Sequence, residues 1–350
     1  MRIVVDPDIA RAETLPGEAY RSAALHAQLV DRVLATSWQV TLDPSLVPPA
    51  TVAPFTLLPG CLDEPLLLVR DGDALRCLSN VCTHRGSILC EEAGAATTLR
   101  CRYHGRRFGL DGRLRHAPEF EDALDFPSER DHLPVLPLAL FGPLALTSLA
   151  PAFGVEELLH PVRTRLAGLA LDELTLDPES VRDFDVGANW MLYVDNYLEG
   201  LHIPFVHPGL AETLDFGAYR TELEPRGTVQ IGIAKPGEER FDGGDVAAWY
   251  FWLFPNLMLN FYPWGLSLNV VTPLSVDQTR VHYRSYVLDE ARRGKGAGSG
   301  LDRVEHEDEE VVEAVQRGIR ARLYRRGRYS PSRETGVHHF HRLLAAALDG

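Results

Sequence analysis

The sequence predicts an α+β protein of two units, an all-β unit followed by a unit in which antiparallel strands pack against helices. Three observations predict it. From about residue 38 to 150, short β-rich runs alternate with Gly, Asp-Gly and Pro turns. From about 151 onward, strand-like and helical stretches are mixed, and the chain closes with two helical patterns. The 350 residues suffice for about two domains.

The first elements along the chain are a helical segment and a β module. Residues 8–36 carry apolar side chains at helical spacing, so we expect residues 1–37 to form a helical segment that packs on the second unit. Residues 38–150 are expected to form the β module. Within it, Asp71-Gly72 and Asp111-Gly112 are typical of hairpin turns.

Residues 133–150 carry no charge, and that length raises the possibility of a membrane helix. Pro134, Pro137 and Pro143 would break such a helix, so the segment predicts short buried strands instead. The N-terminus has no basic-then-apolar signal pattern. We therefore expect a cytoplasmic protein without a membrane span.

The second unit, predicted over residues 151–350, alternates elements in an α+β manner. Its predicted helices and strands are a helix at 187–202, strands near 218–234, 246–254, 257–272 and 279–288, and helices at 302–326 and 334–348. Residues 291–300 have the composition of a flexible surface loop. His338, His339 and His341 on the last helix are expected to lie on a solvated face.

Charge and cysteine content exclude other classes. The formal net charge of −14 repels phosphate backbones, so nucleic acid is not an expected partner. Five cysteines are too few for a disulfide framework. Cys61, Cys77 and Cys90 are interpreted as buried small hydrophobic residues.

The other two cysteines belong to a four-residue motif in the β module. Cys82 and His84 occur in VCTHRG, and Cys101 and His104 occur in LRCRYHG. Two thiolates and two imidazoles on adjacent loops are typical of a metal site, which a structural zinc ion or a Rieske [2Fe-2S] cluster could both use.

A second group of metal-ligand residues lies in the predicted α+β unit. Glu199 and His202 are expected on one stripe of the 187–202 helix together with Asp195, and His207 follows just beyond Pro204. Asp308 lies in the middle of the apolar stripe of the 302–326 helix, whereas Glu307, Glu309 and Glu310 are expected to face water. Two histidines and one carboxylate form the facial triad of non-haem iron oxygenases.

These motifs resemble the Rieske-type non-haem iron (ring-hydroxylating) oxygenases, in their alpha or terminal oxygenase subunit. The resemblance implies an N-terminal Rieske domain and a helix-grip catalytic domain, in which an antiparallel sheet packs against a long C-terminal helix. It assigns Cys82, His84, Cys101 and His104 to the [2Fe-2S] cluster. Mononuclear Fe(II) is assigned to His202, His207 and Asp308.

The resemblance also implies how the protein works. A separate NAD(P)H-dependent reductase or ferredoxin supplies electrons, and O2 is used to hydroxylate or oxidatively demethylate a small organic substrate. In this family an acid at the position of Glu199 bridges a cluster histidine of one subunit and an iron-ligand histidine of its neighbour. These partners would be His104 and His202, and the implied assembly is a head-to-tail homotrimer.

Two other functions stay open at this stage, a Rieske electron carrier and a helix-grip ligand-binding protein without oxygenase activity. The substrate is not specified by the sequence. Glu at position 199 is closer to family members that act on quaternary amines than to the many members with Asp there. For a cationic substrate, five residues supply candidates for a cation–π cage: Trp249, Tyr250, Trp252, Tyr262 and Trp264.

Overall fold

A computed structural model describes residues 2–41, 47 and 51–349 of the chain. They form two compact units: Trp38–Pro151 is one, and Met1–Ser37 together with Ala152–Gly350 is the other. The first unit is built from strands and the second mixes a large antiparallel sheet with helices, so the predicted α+β class is confirmed.

The described residues of the first unit form three small antiparallel sheets. Their orders are β5-β2-β3-β4-β9, β6-β7-β8 and β1-β11-β10. The strands are β1 (Gln39–Val40), β2 (Thr51–Leu57), β3 (Glu64–Asp71), β4 (Ala74–Ser79), β5 (Gly94–Ala95), β6 (Leu99–Arg100), β7 (Arg107–Phe108), β8 (Leu114–His116), β9 (Val135–Leu136), β10 (Leu138–Phe141) and β11 (Leu144–Thr147).

Both predicted hairpins of this unit form. Gly72 joins β3 to β4 and Gly112 joins β7 to β8, with φ of 59° and 82° respectively. Glycine accepts this left-handed backbone at little cost, so these positions suit a tight turn. The uncharged segment 133–150 forms the short strands β9, β10 and β11 instead of a helix, as predicted, but only β11 is buried throughout, because β9 and β10 expose Val135 and Leu140. No helix among the described residues is long and apolar enough to cross a membrane.

The second unit contains one antiparallel eight-stranded sheet of order β12-β19-β18-β17-β16-β15-β14, with β13 also paired to β19. The strands are β12 (Thr175–Leu176), β13 (Arg182–Val186), β14 (Arg220–Glu224), β15 (Gly227–Ile233), β16 (Val246–Leu253), β17 (Leu257–Tyr262), β18 (Gly265–Ser275) and β19 (Gln278–Val287). β15 and β17 are buried at every position, and β17 is accordingly apolar or aromatic except at Asn260.

The part of the chain that the structure describes contains seven α-helices, all of which belong to the second unit. They are α1 (Ala23–Leu29), α2 (Glu156–Arg165), α3 (Trp190–Tyr197), α4 (Ile203–Val206), α5 (Pro208–Thr213), α6 (Leu301–Gly318) and α7 (Thr335–Asp349). Asn189 caps α3 by accepting a hydrogen bond from the Met191 N–H at 2.9 Å.

Several predicted boundaries are wrong. The helical segment predicted over 8–36 contains only α1, a 3-10 turn and a π-helical turn at Val30–Leu34. The helix predicted over 302–326 ends at Gly318, since glycine weakens a helix. Leu323, which would continue its apolar stripe, therefore lies outside the helix and is 97% exposed. The 291–300 loop is not wholly a surface loop, because Ala297 and Gly298 are buried.

The histidines of α7 do not lie on a solvated face, and that prediction is wrong. His338 and His341 are buried. His341 lies 2.9 Å from Asp195 and 2.6 Å from the Tyr329 hydroxyl, and these polar partners offset the cost of burying an imidazole. Asp195, predicted on the stripe of Glu199, therefore faces α7.

Candidate metal centres and substrate cavity

The four Cys and His residues of the first motif lie on two short loops of similar construction. Cys82 and His84 follow β4, while Cys101 and His104 connect β6 to β7. Each loop is closed by a backbone hydrogen bond to the cysteine carbonyl, from Gly86 at 3.0 Å and from Gly105 at 3.1 Å. The repeated turn places one thiol and one imidazole on each loop.

The thiols and the imidazoles form separate pairs. Cys82 and Cys101 are both buried and interact with each other. The rings of His84 and His104 are 4.7 Å apart between centroids. Among the described residues, these four do not converge on one point as a single-ion site would. A two-iron cluster, in which the cysteines hold one iron and the histidines hold the other, fits this separation better than tetrahedral zinc does.

The surroundings of these residues shift their protonation in different directions. Burial, together with the neighbouring Cys101, raises the pKa of the Cys82 thiol. Burial opposes ionisation of Cys101, but hydrogen bonds from the Tyr103 and His104 N–H groups outweigh it and lower the thiol pKa. Burial and the nearby Arg106 charge lower the pKa of His84 and favour neutral imidazole. The Nδ1 atom of His84 is buried and has no hydrogen-bond partner among the described residues. A thiolate at Cys101 and a neutral imidazole at His84 are the states that iron coordination needs.

The second motif does not lie on one helix, which corrects the predicted stripe. Helix α3 ends at Tyr197, and Glu199 lies in the turn that follows. The Glu199 carboxylate accepts hydrogen bonds from the backbone N–H groups of Leu201 and His202 and stabilises this turn. Pro204 lies beyond the end of α3. It stands in the first turn of α4, where proline is well tolerated.

His202, His207 and Asp308 come together. One ligand atom from each lies within 4.8 Å of the others. The Asp308 Oδ1 atom is 3.0 Å from His207 Nε2 and 3.5 Å from His202 Nε2, so both imidazoles direct the same nitrogen at one carboxylate. The donor set suits a divalent ion such as iron(II).

A carboxylate also holds the other nitrogen of each imidazole. Glu199 lies 2.7 Å from Nδ1 of His202, and Glu307 lies 2.7 Å from Nδ1 of His207. Such contacts fix which imidazole nitrogen faces a metal. The prediction that Glu307 faces water is wrong, because α6 turns that side chain toward buried His207. Burial opposes a charge on His207, but Asp308 and Glu307 outweigh it and raise its pKa.

Beside these residues the second unit encloses a cavity of about 100 Å³. An apolar cavity of about 150 Å³ is large enough for benzene, so this one suits a small substrate. Six tyrosines line it: Tyr193, Tyr197, Tyr219, Tyr250, Tyr262 and Tyr283. Of the five aromatic residues predicted for a cage, only Tyr250 and Tyr262 reach the cavity. Trp264 stacks on Tyr262, and Trp252 packs against Phe340.

The sheet register explains why polar side chains face this cavity. Tyr250 is paired with Asn260, which is paired with Ser267, and Asn269 is paired with Tyr283. Directly paired residues lie on the same face of a sheet. Tyr197 from α3 donates a hydrogen bond of 2.7 Å to the Asn260 side chain.

One lining residue is an acid that the sequence analysis missed. Glu305 on α6 is buried, and its carboxylate accepts hydrogen bonds from the Tyr193 hydroxyl and from Asn269 Nδ2. Burial raises its pKa to about 8, and the nearby acids Asp308 and Glu309 act in the same direction. A sequence signal existed, because Glu305 precedes Asp308 by three positions and so shares its helix face.

Two family models match the chain. The model described as "Rieske [2Fe-2S] domain" matches residues 37–136, and "Ring hydroxylating alpha subunit (catalytic domain)" matches residues 171–350. Chloroplastic choline monooxygenase of Arabidopsis thaliana is 31% identical over 97% of this chain and 84% of that protein. The carnitine monooxygenase oxygenase subunit of Escherichia coli K12 is 32% identical over 95% of this chain and 93% of that protein.

Solved structures show the same fold. A quaternary ammonium Rieske monooxygenase in complex with L-carnitine superimposes with a TM-score of 0.76 and 26% identity, covering 98% of this chain and 97% of that one. Naphthalene 1,2-dioxygenase from Rhodococcus sp. gives a TM-score of 0.73 at 18% identity, covering 96% of this chain and 94% of that one.

Proposed function

The chain belongs to the Rieske-type ring-hydroxylating oxygenases, as their terminal oxygenase subunit, and from this premise we propose that it oxidises a small ammonium compound. The family membership makes it an oxidoreductase that uses a Rieske cluster, mononuclear iron, O2 and electrons from a reductase. An electron carrier or a ligand-binding protein without activity is not supported. The observation that supports an ammonium substrate is the small, tyrosine-lined cavity beside His202, His207 and Asp308, whose lining includes no Arg or Lys.

We assign the roles of the site residues on the contacts described above. Cys82 and Cys101 hold one iron of the cluster, and His84 and His104 hold the other. His202, His207 and Asp308 hold the mononuclear iron. Loaded with iron, the two sites would supply reductive activation of O2 with electrons from the reductase, which would hydroxylate the substrate; a hydroxylated N-methyl group would leave as formaldehyde.

The side chains of the second unit prepare this reaction. Glu199 and Glu307 keep the Nε2 atoms of the two histidines directed at the ligand point. The tyrosine rings line the cavity next to the position of the substrate. Burial raises the pKa values of Tyr197, Tyr219 and Tyr262 well above the ordinary value, so these side chains stay neutral.

The assembly that we propose is a head-to-tail homotrimer, in which Glu199 joins His202 to His104 of a neighbouring copy. Exposed aromatic residues flank both ends of this contact. Tyr103, next to His104, is 62% exposed, and Phe205, near His202, is 82% exposed. Large exposed apolar side chains at two such points support an interface between copies. The free state of all five cysteines supports a reducing, cytoplasmic setting.

Oxygen uptake tests the proposed function. The reconstituted protein, supplied with NADH and a reductase of this family, is offered choline, carnitine, glycine betaine and naphthalene in turn. We expect uptake that depends on an ammonium compound, with a matching hydroxylated or demethylated product. Uptake that is coupled to naphthalene and unaffected by every amine would contradict the proposal.

A further inference from the structure

Glu305 is a buried acid that the mechanism above does not use. Its relative exposure is 6%, and it lines the same cavity as His202, His207 and Asp308. Its position on α6 is one helical turn before Asp308, about 4.5 Å along the helix axis. A carboxylate in such a place is costly unless a positive charge accompanies it.

The protein itself does not supply that positive charge. The hydrogen-bond donors to Glu305 are the neutral side chains of Tyr193 and Asn269. The other titratable groups that interact with it are Tyr283, Asp308 and Glu309, which are neutral or acidic. The residues that line the cavity, all of them described, include no Arg or Lys.

The charges around the cavity point to a cationic occupant. Glu199 and Asp308 are the other carboxylates of its wall, and an iron(II) ion at the ligand point balances their two charges. No cationic side chain is left for Glu305: with the cavity empty, burial raises its pKa to about 8 and a proton neutralises it, and a cationic occupant would take the place of that proton. We propose that Glu305 is the counter-charge for the substrate ammonium, and that the substrate is therefore an ammonium compound that carries no carboxylate; this inference rests on the proposed function.

The position of Glu305 agrees with the chemistry of an N-methyl substrate. The carbon that is hydroxylated is bonded directly to the positive nitrogen, so the nitrogen must lie close to the iron ligands. A carboxylate one helical turn from Asp308 attracts the nitrogen to that region. Glu305 is thus a specificity-determining residue, because it acts on the charge of the substrate and not on the reacting carbon.

A neutral polar group completes the subsite. The Oδ1 atom of Asn269 is buried and has no hydrogen-bond partner among the described residues, while Nδ2 of the same side chain binds Glu305. An unsatisfied buried acceptor favours a ligand that donates a hydrogen bond. A hydroxyl on the ammonium compound meets this need, whereas a carboxylate would meet three acidic side chains and no Arg or Lys.

Calorimetric binding to the anaerobic, iron-loaded protein tests the inference. The probes are choline, its neutral carbon isostere 3,3-dimethylbutan-1-ol, and L-carnitine. We expect choline to bind more tightly than either of the others. In Glu305→Gln, which keeps the hydrogen-bonding capacity, choline affinity should fall about 30-fold or more, since loss of one partner of a buried charge pair has effects of this size. Affinity for the isostere should stay unchanged.

Glu310→Gln is the matched control, because it makes the same change on the exposed side of α6 and should leave choline affinity unaltered. Unchanged choline affinity in Glu305→Gln, or wild-type protein that binds carnitine or the isostere as tightly as choline, would overturn the inference. The wild-type comparison holds even where the variant fails to fold. Failure of the proposed function is distinct, because wild-type protein would then show no amine-dependent oxygen uptake.

Discussion

The two proposed metal centres are built in opposite ways. All four proposed cluster ligands lie between Cys82 and His104, on two loops that each contain the same kind of hydrogen-bonded turn. In the mononuclear site, His207 and Asp308 are 101 positions apart and meet only because α6 packs beside the turn after α3. A local site depends on turn geometry, whereas a long-range site depends on the packing of the whole unit and on carboxylates that orient its ligands.

The largest expected effect separates the two centres completely. His207→Ala should abolish substrate-dependent oxygen uptake and lower the iron content by about one atom per chain, while the visible cluster spectrum survives. Cys101→Ser should abolish the cluster spectrum, because the cluster site loses a thiolate, while the mononuclear ligands stay in place; oxygen uptake should stop as well, since no electrons reach the mononuclear site. Metal analysis and absorbance spectra measure both. His306→Ala, at an exposed position on α6, is the control. If either ligand variant lost both centres together, the two sites would not be independent.

A smaller effect is expected for the bridge between copies. Glu199→Gln should slow electron transfer from the reduced cluster to the mononuclear site by about 100-fold. The Glu199 carboxylate also orients His202, and loss of a carboxylate that orients a metal-binding histidine lowers activity by up to about this factor. Single-turnover absorbance of the pre-reduced protein measures the rate. Iron content and the cluster spectrum should match wild type. An unchanged electron-transfer rate would show that Glu199 takes no part in electron transfer between the two centres.

The orienting contact of His207 should have a weaker influence. Glu307→Gln should reduce iron(II) affinity about tenfold, because Gln cannot offer the negative charge that lies 2.7 Å from Nδ1. Competition with a chelator measures the affinity, and Glu310→Gln again serves as the control. Equal affinities in the two variants would show that Glu307 is only a surface acid.

The smallest effect concerns the turn that carries Glu199 and His202. A Cβ added at Gly200 would lie 2.5 Å from the Tyr219 ring, so Gly200→Ala should destabilise the second unit by about 1–3 kcal/mol. Denaturant unfolding measures the change. Gly209→Ala is the control, because a Cβ there meets nothing within 4 Å. Equal stability of the two variants would mean that the turn tolerates a wider residue.

This contrast explains what could be predicted from the sequence. The β-rich module, its two hairpins and the helical and strand regions of the second unit followed from local patterns, and the fold class is confirmed. Each Cys and His pair of proposed cluster ligands lies within one short motif, so the turn that positions the pair could be predicted from the local sequence. The three proposed iron ligands could also be predicted, because two are neighbours and Asp308 interrupts an apolar stripe.

The residues around these ligands could not be predicted in the same way. A helical stripe does not tell which neighbouring acid meets a partner on another element, so periodicity predicts that Glu307 faces solvent although it contacts His207. The acid of the cavity wall, Glu305, depends on Tyr193 and Asn269, which come from α3 and β18. Such contacts depend on long-range packing, and helix periodicity alone does not predict them.

The most direct test of two distinct iron centres in one chain is a metal analysis of anaerobically reconstituted protein, combined with electron paramagnetic resonance. The account predicts about three iron atoms per chain, two in a reducible Rieske cluster and one in a mononuclear site that an added substrate perturbs. Protein with about two iron atoms per chain and an empty second site, or with zinc bound at either centre after reconstitution, would contradict it.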